Sequence, residues 1–291
     1  MPRKRQSQQH KLLPARSHLR RQKVRARRLL FEQFEDRRVL AAVSWDGGGG
    51  DLLWGNPLNW SGDQLPGADD DVTVDAPGDA TIVHDKSESS VRSLALHDHL
   101  HLRLGSSVTT ASLAIAANNS IWAEGSGTEF HATGESNIDG ADLYATAGGL
   151  VDIAATGTVT NTSGDGIWQA IGVDSELRFP NLTTVSNGTS ANQDFYIQAL
   201  QGGRIDLPSV TEIIDPNSGT QDGRSIRLKA DGANSVIDLS SLQNFVDYHA
   251  WELHEEQSYR DDGEYSWLET VQNGTIELGA LTSVRGVYIP I

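Results

Sequence analysis

A nine-residue pattern recurs five times between Val151 and Val284 and constrains this chain more than any other feature. It reads apolar, charged, apolar, small or Pro, any, apolar in most copies, any, any, apolar. The copies run from Val151-Asp152-Ile153 to Val159, from Leu177-Arg178-Phe179 to Val185, and from Ile205-Asp206-Leu207 to Ile213. Two more run from Ile237-Asp238-Leu239 to Phe245 and from Ile276-Glu277-Leu278 to Val284. Middle apolar positions are separated by 26, 28, 32 and 39 residues. Repetition at a period of tens of residues implies stacked supersecondary units that bury one continuous core.

A second apolar segment precedes each copy: Leu143-Tyr144-Ala145, Ile167-Trp168, Phe195-Tyr196-Ile197, Ile226-Arg227-Leu228 and Trp267-Leu268. Turn residues such as Gly148-Gly149, Gly202-Gly203 and Asn273-Gly274 lie between the two. Alternation within each run has period two, so these are strands with one inward face. Two or three short strands per repeat, closed by Gly/Asn/Asp turns, suit one coil of a parallel β-solenoid. The expected fold is all-β: a right-handed parallel β-helix of eight to ten coils over residues 91–291. A leucine-rich repeat and a two-sheet sandwich are the alternatives. The first lacks its consensus Asn or Cys, and the second does not call for five aligned copies.

Composition fits an elongated β domain, with 29 Gly and no Cys, so disulfides and thiol chemistry are excluded. Charge divides sharply. Residues 1–41 carry +10 and residues 42–291 carry −26, within a net charge of −16. The acidic body is not expected to bind nucleic acid. No run approaches the length of a transmembrane helix. Six Asn-x-Ser/Thr triplets, at Asn59, Asn118, Asn161, Asn181, Asn187 and Asn273, read as turn chemistry.

Three segments follow: a disordered basic export segment (1–41), a Trp/Gly-rich opening and cap module (42–90) and the solenoid (91–291). The basic head lacks the apolar run of an ordinary signal peptide. Its Phe31-Glu32-x-x-Glu35-Asp36-Arg37-Arg38-Val39-Leu40-Ala41 resembles the N-terminal signature of long repetitive exported proteins of planctomycete-type bacteria, with Phe34 where Leu is usual. That resemblance implies export or surface association. Trp45, Gly47-Gly48-Gly49-Gly50, Trp54, Asn59-Trp60, Pro66 and Asp71-Val72-Thr73-Val74 together resemble the opening unit of bacterial β-helical, autotransporter-like passengers. An exposed first coil needs a cap, and three Trp side chains supply the area.

No catalytic triad, P-loop or dinucleotide fingerprint is present. Stacked coils would place Asp152, Arg178, Asp206, Asp238 and Glu277 in one outward column about 4.8 Å apart. Asp152, Arg178 and Asp206 should support one another. Asp206, Asp238 and Glu277 should repel by about 1 kcal/mol per contact unless nearby cations, including bound Ca²⁺, relieve it. This column is the basis of the enzyme alternative, a β-helix polysaccharide lyase or glycoside hydrolase. His97, His99 and His101 alternate with leucines and would share one strand face, where H-x-H can chelate Zn²⁺ or Cu²⁺. Asp69-Asp70-Asp71 is an acidic turn with Ca²⁺ as its alternative reading.

The long insertion 247–265 carries Tyr248, Trp251, Tyr259 and Tyr265 among acids, and these four are the candidate ligand-binding residues. The main expectation is a non-enzymatic exported or cell-surface solenoid that is structural or adhesive. It would need no cofactor and would bind a surface or matrix polysaccharide or protein. Tyr288-Ile289-Pro290-Ile291, apolar and uncapped, points either to a truncated chain or to end-to-end self-association through a pairing end for another protomer. A basic-headed intracellular binding protein is a third reading.

Overall fold

A computed structural model describes residues 42–85, 88–162, 164–220, 223–248 and 265–290, all within the unit Arg38–Ile291. The strands form three parallel sheets of 11, 9 and 5 strands, named here sheets I, II and III. Successive strands pass from sheet to sheet, and each pairs with the equivalent strand one coil away, as in a parallel β-helix. Sheet I begins at Ala42–Ser44 and Asp71–Val74, so stacking starts upstream of Val91, inside the opening module. The one described helix is a 3-10 turn at Pro57–Asn59.

The repeat maps onto this register position by position. Val151, Leu177, Ile205, Ile237 and Ile276 form one inward file of sheet I. Val159, Val185, Ile213, Phe245 and Val284 form the file of sheet III. Leu143, Trp168, Ile197, Leu228 and Leu268 form that of sheet II. Except at the final coil these side chains are buried, each worth about 1.5–3 kcal/mol. The fourth position of the pattern separates sheet I from sheet III. Phe179 and Leu207 still donate their amides to the next coil, but Pro180 and Pro208 have no N–H and end the ladder.

Trp45, Trp54 and Trp60 are buried together at the first coil. Trp60 meets Trp54 and Trp45 edge-on at centroid separations of 4.7 and 5.1 Å, and its Nε1 donates to the Trp54 carbonyl at 2.8 Å. Leu53 bridges to Val83, which seats this loop against the first strand of sheet II, Thr81–His84. Buried Asn59 ties the loop together, donating to Asp51 at 2.7 Å and accepting from the Gly49 amide at 3.0 Å.

The corner leading into sheet I alternates between two forms. Four-residue turns occupy 125–128, 172–175 and 232–235, and three-residue turns occupy 104–106, 147–149, 201–203 and 272–274. Each four-residue turn ends in Thr128, Ser175 or Ser235, whose hydroxyl donates to the carbonyl four residues back at 2.9, 2.6 and 2.7 Å. The same oxygen accepts an amide from the preceding coil: Gly105, Gly148 and Gly202 at 3.0, 2.9 and 2.9 Å. The first three-residue turn ends in Ser106, and the other three end in Gly149, Gly203 and Gly274, where a Cβ would stand 2.2 Å from the carbonyl oxygen of Ala123, Ala170 or Ala230. Those turns open with Ala147, Gln201 and Gln272 at φ of 53°, 54° and 49°, the left-handed conformation that side chains rarely adopt.

At the end of the sheet III strands a buried polar file replaces apolar packing. Asn161 donates to Asn187 at 3.1 Å, Asn187 donates to Asp215 at 2.9 Å, and Asp215 is paired in register with Asp247. Burial, with Asp247 adding repulsion, pushes Asp215 up to about 7. Arg224 meets Asp215 at 2.9 Å, both side chains fully buried, and also donates to the carbonyls of Gly188 and Ser218. Asn161 and Asn187 thus use their triplets for interior hydrogen bonding, in keeping with the structural reading of those sequences.

Candidate functional site

The outward column of sheet I is assembled as its repeat requires: Asp152, Arg178, Asp206, Asp238 and Glu277 stand in register, with His131 preceding Asp152. A parallel outward row two residues earlier contributes Glu129, Glu176 and Arg204. Arg178 pairs with Glu176. Arg204 lies 2.6 Å from Asp206 and 3.6 Å from Asp238, so a guanidinium fills the place where repulsion was expected.

Burial raises Asp206 above the usual carboxylate range against the pull of Arg204, and Glu176 adds to the rise. Burial opposes ionisation of Glu176 too, but hydrogen bonds from Arg178 and Asp206 hold it low. The two neighbouring carboxyl groups are therefore shifted in opposite directions. Hydrogen bonds to Glu176 and Asp206 hold Arg178 and Arg204 more firmly protonated than usual, the wrong direction for a general base.

The histidine row is broken. His97 lies in the bend after Glu88–Leu96, while His99 and His101 belong to the next strand, His99–Arg103. His99 contacts Asp79 at 2.8 Å and Ser120 at 2.9 Å, and His101 contacts Glu124 at 2.8 Å. In the acidic turn, Asp70 accepts the Gly67 amide at 2.7 Å and Asp71 pairs with Arg92. Among the described residues, no group of three His, Cys, Asp or Glu side chains is placed to hold a metal. Nor is any described helix long and apolar enough to cross a membrane.

Of the four aromatic candidates in the long insertion, Trp251 and Tyr259 lie outside the described residues. Tyr248 and Tyr265 are half-buried, and the Arg285 guanidinium sits 5.2 Å from the Tyr248 ring.

A concave feature of the described surface lies elsewhere, on the outer face of sheet II. A groove of about 200 Å³ is lined by Tyr196, Gln198, Arg227, Lys229, Trp267 and Glu269. Register explains the set. Tyr196, Arg227, Trp267 and Tyr288 form one outward file, and Gln169, Gln198, Lys229 and Glu269 form the next. The Arg227 guanidinium lies 5.5 Å from the Tyr196 ring and 3.2 Å from Asp194. Trp267 meets Tyr288 edge-on at 4.8 Å, and its Nε1 is buried without a hydrogen-bond partner among the described residues. Burial and the Asp194 hydrogen bond push the Tyr196 phenol up to about 12, so it stays protonated near neutrality.

Sequence reasoning missed this groove because Tyr196, Arg227 and Trp267 sit inside segments read as apolar strands. Their parity carried the signal: each alternates with a buried Ile or Leu and so points outward. The aromatic and amide side chains offer ring faces and fixed donors and acceptors, and no nucleophile–base pair stands among the groove residues. Family models, curated proteins and solved structures give no match to this chain, so the reading of its site rests on its own geometry.

Proposed function

We propose that this chain is a non-enzymatic β-solenoid exported to the cell surface or matrix, where it adheres through glycan. One observation carries the binding half: two outward rings, Tyr196 and Trp267, flank a groove edged by Gln198, Lys229 and Glu269. Flat apolar ring faces suit the C–H faces of pyranose rings, and the surrounding amide and charged groups suit sugar hydroxyls. Export rests on the resemblance of residues 31–41 to the exported-protein signature and fits the strongly acidic body.

Calorimetric titration with a panel of soluble polysaccharides tests the binding half. Saturable binding to at least one, weakened at least tenfold by Trp267→Ala with unchanged circular dichroism, is expected. Failure to bind any member of a broad panel would remove it. Fractionation of the native cells tests export, which a strictly cytosolic location would sink. Release of unsaturated products from an acidic polysaccharide, abolished by Asp206→Ala or Asp238→Ala, would favour the lyase reading.

A further inference from the structure

The groove is not the only aromatic platform on sheet II. In the file that holds Gln169 and Gln198, the earlier coils contribute His101, Trp122 and Tyr144. His101 stacks on Trp122 at 4.1 Å and 7°, and Trp122 Nε1 donates to Thr146 at 2.7 Å, which fixes the indole. Between the platforms Gln169 donates to Gln198 at 2.8 Å, leaving a ladder of amide groups along the face. Trp122 and Trp267 are five strand steps apart, about 24 Å at the spacing of neighbouring strands. That span exceeds any disaccharide.

Charge on this face is already matched. Arg227 faces Asp194, Lys229 lies 3.0 Å from Asp231 and 4.0 Å from Glu269, and His101 faces Glu124. Asp142 adds another outward carboxyl group. An anionic chain would meet these carboxylates with no surplus of positive charge to offset them, whereas hydroxyl groups find donors and acceptors throughout.

We infer that the outer face of sheet II binds a neutral, linear glycan laid along the solenoid axis, with ring-stacking subsites at Trp122 and Trp267 joined by the Gln169–Gln198 ladder. This rests on the glycan reading above and adds the ligand's charge, length and direction to it. Joining the two subsites by one chain makes the second contact intramolecular, so affinity must grow with ligand length.

The test titrates the whole protein with neutral β-linked glucose, xylose and mannose oligosaccharides, as disaccharide, tetrasaccharide and octasaccharide, and with polygalacturonate and alginate. At least one neutral series is expected to gain about tenfold or more in affinity from the disaccharide to the octasaccharide. Trp122→Ala should erase that gain, Trp122→Phe should restore part of it, and Trp267→Ala should weaken both lengths. Equal affinity for short and long chains, or no effect of Trp122→Ala in a variant that melts like the parent, would overturn the extended site while leaving a glycan groove at Trp267. Preference for polygalacturonate or alginate over every neutral chain would overturn the assignment of charge. Absence of binding to any chain would take down the glycan reading itself.

Discussion

Sheets I and II share coils, register and an apolar inner face, yet their outer faces are built on opposite plans. On sheet I, outward side chains are mostly charged, and several pair within the sheet: Glu129 with His131, Arg178 with Glu176, and Arg204 with Asp206 and Asp238. On sheet II, rings and amides point outward, and Trp267 keeps a donor without a partner among the described residues. The inward files carry the packing in both sheets, so the outer positions are free to differ. A face that satisfies itself supports the stack, and a face that leaves rings and donors over has something to offer a ligand.

The sharpest way to break this comparison is to cut the inner face beneath the groove. Leu228 is fully buried between outward Arg227 and Lys229. Leu228→Ala should cost about 2–5 kcal/mol in urea unfolding, and a loss no larger than that of outward substitutions would refute the division of labour. Next comes Arg204→Ala on sheet I, which leaves Asp206 facing Asp238. Both partners of this pair are partly exposed, so the loss should be about 1 kcal/mol or less.

The sign with pH follows from Asp206. Its folded value is raised, so its protonated form contributes stability in acid that is lost as pH rises through the folded value. Removing Arg204 deepens that loss once Asp206 ionises. The penalty should therefore be full near about pH 7 and fade as Asp206 protonates on acidification, read from urea midpoints of parent and variant across that range. The smallest effect concerns salt. A neutral ligand on a charge-matched face should change affinity by less than about twofold between about 0.1 and 1 M NaCl, and a steep salt dependence would point to an anionic ligand.

Much of the fold was legible because a period-two pattern repeated in register leaves one parity for the core. The column from Asp152 to Glu277 and the files ending at Val284 and Leu268 followed directly. What failed lay where the chain leaves a strand. Leu104 shares the sequence parity of the buried Leu100 and Leu102, but it sits in a turn at φ 61° and is 82% exposed. His97 was aligned with His99 across a bend that carries the chain from sheet I to sheet II. Arg204 and Glu176 went unread because the repeat was defined by its central charge and ignored the residue before its first apolar position. At the groove, Trp267 and Tyr196 were counted as hydrophobic, whereas their parity made them surface.

The alternating corner into sheet I has a consequence for how such a chain changes length. A hydroxyl-ended turn bonds the glycine-ended turn of the coil before it, and the next glycine-ended turn takes a close backbone approach that no side chain permits. Excising residues 172–231 would bring Gly232 to follow Ile171 and keep the two turn forms in alternation. Excising only residues 172–200 would stack two glycine-ended turns and strand the amide of Gly148. Loss of a pair of coils therefore keeps the turns of this corner in matching order, and loss of a single coil breaks it.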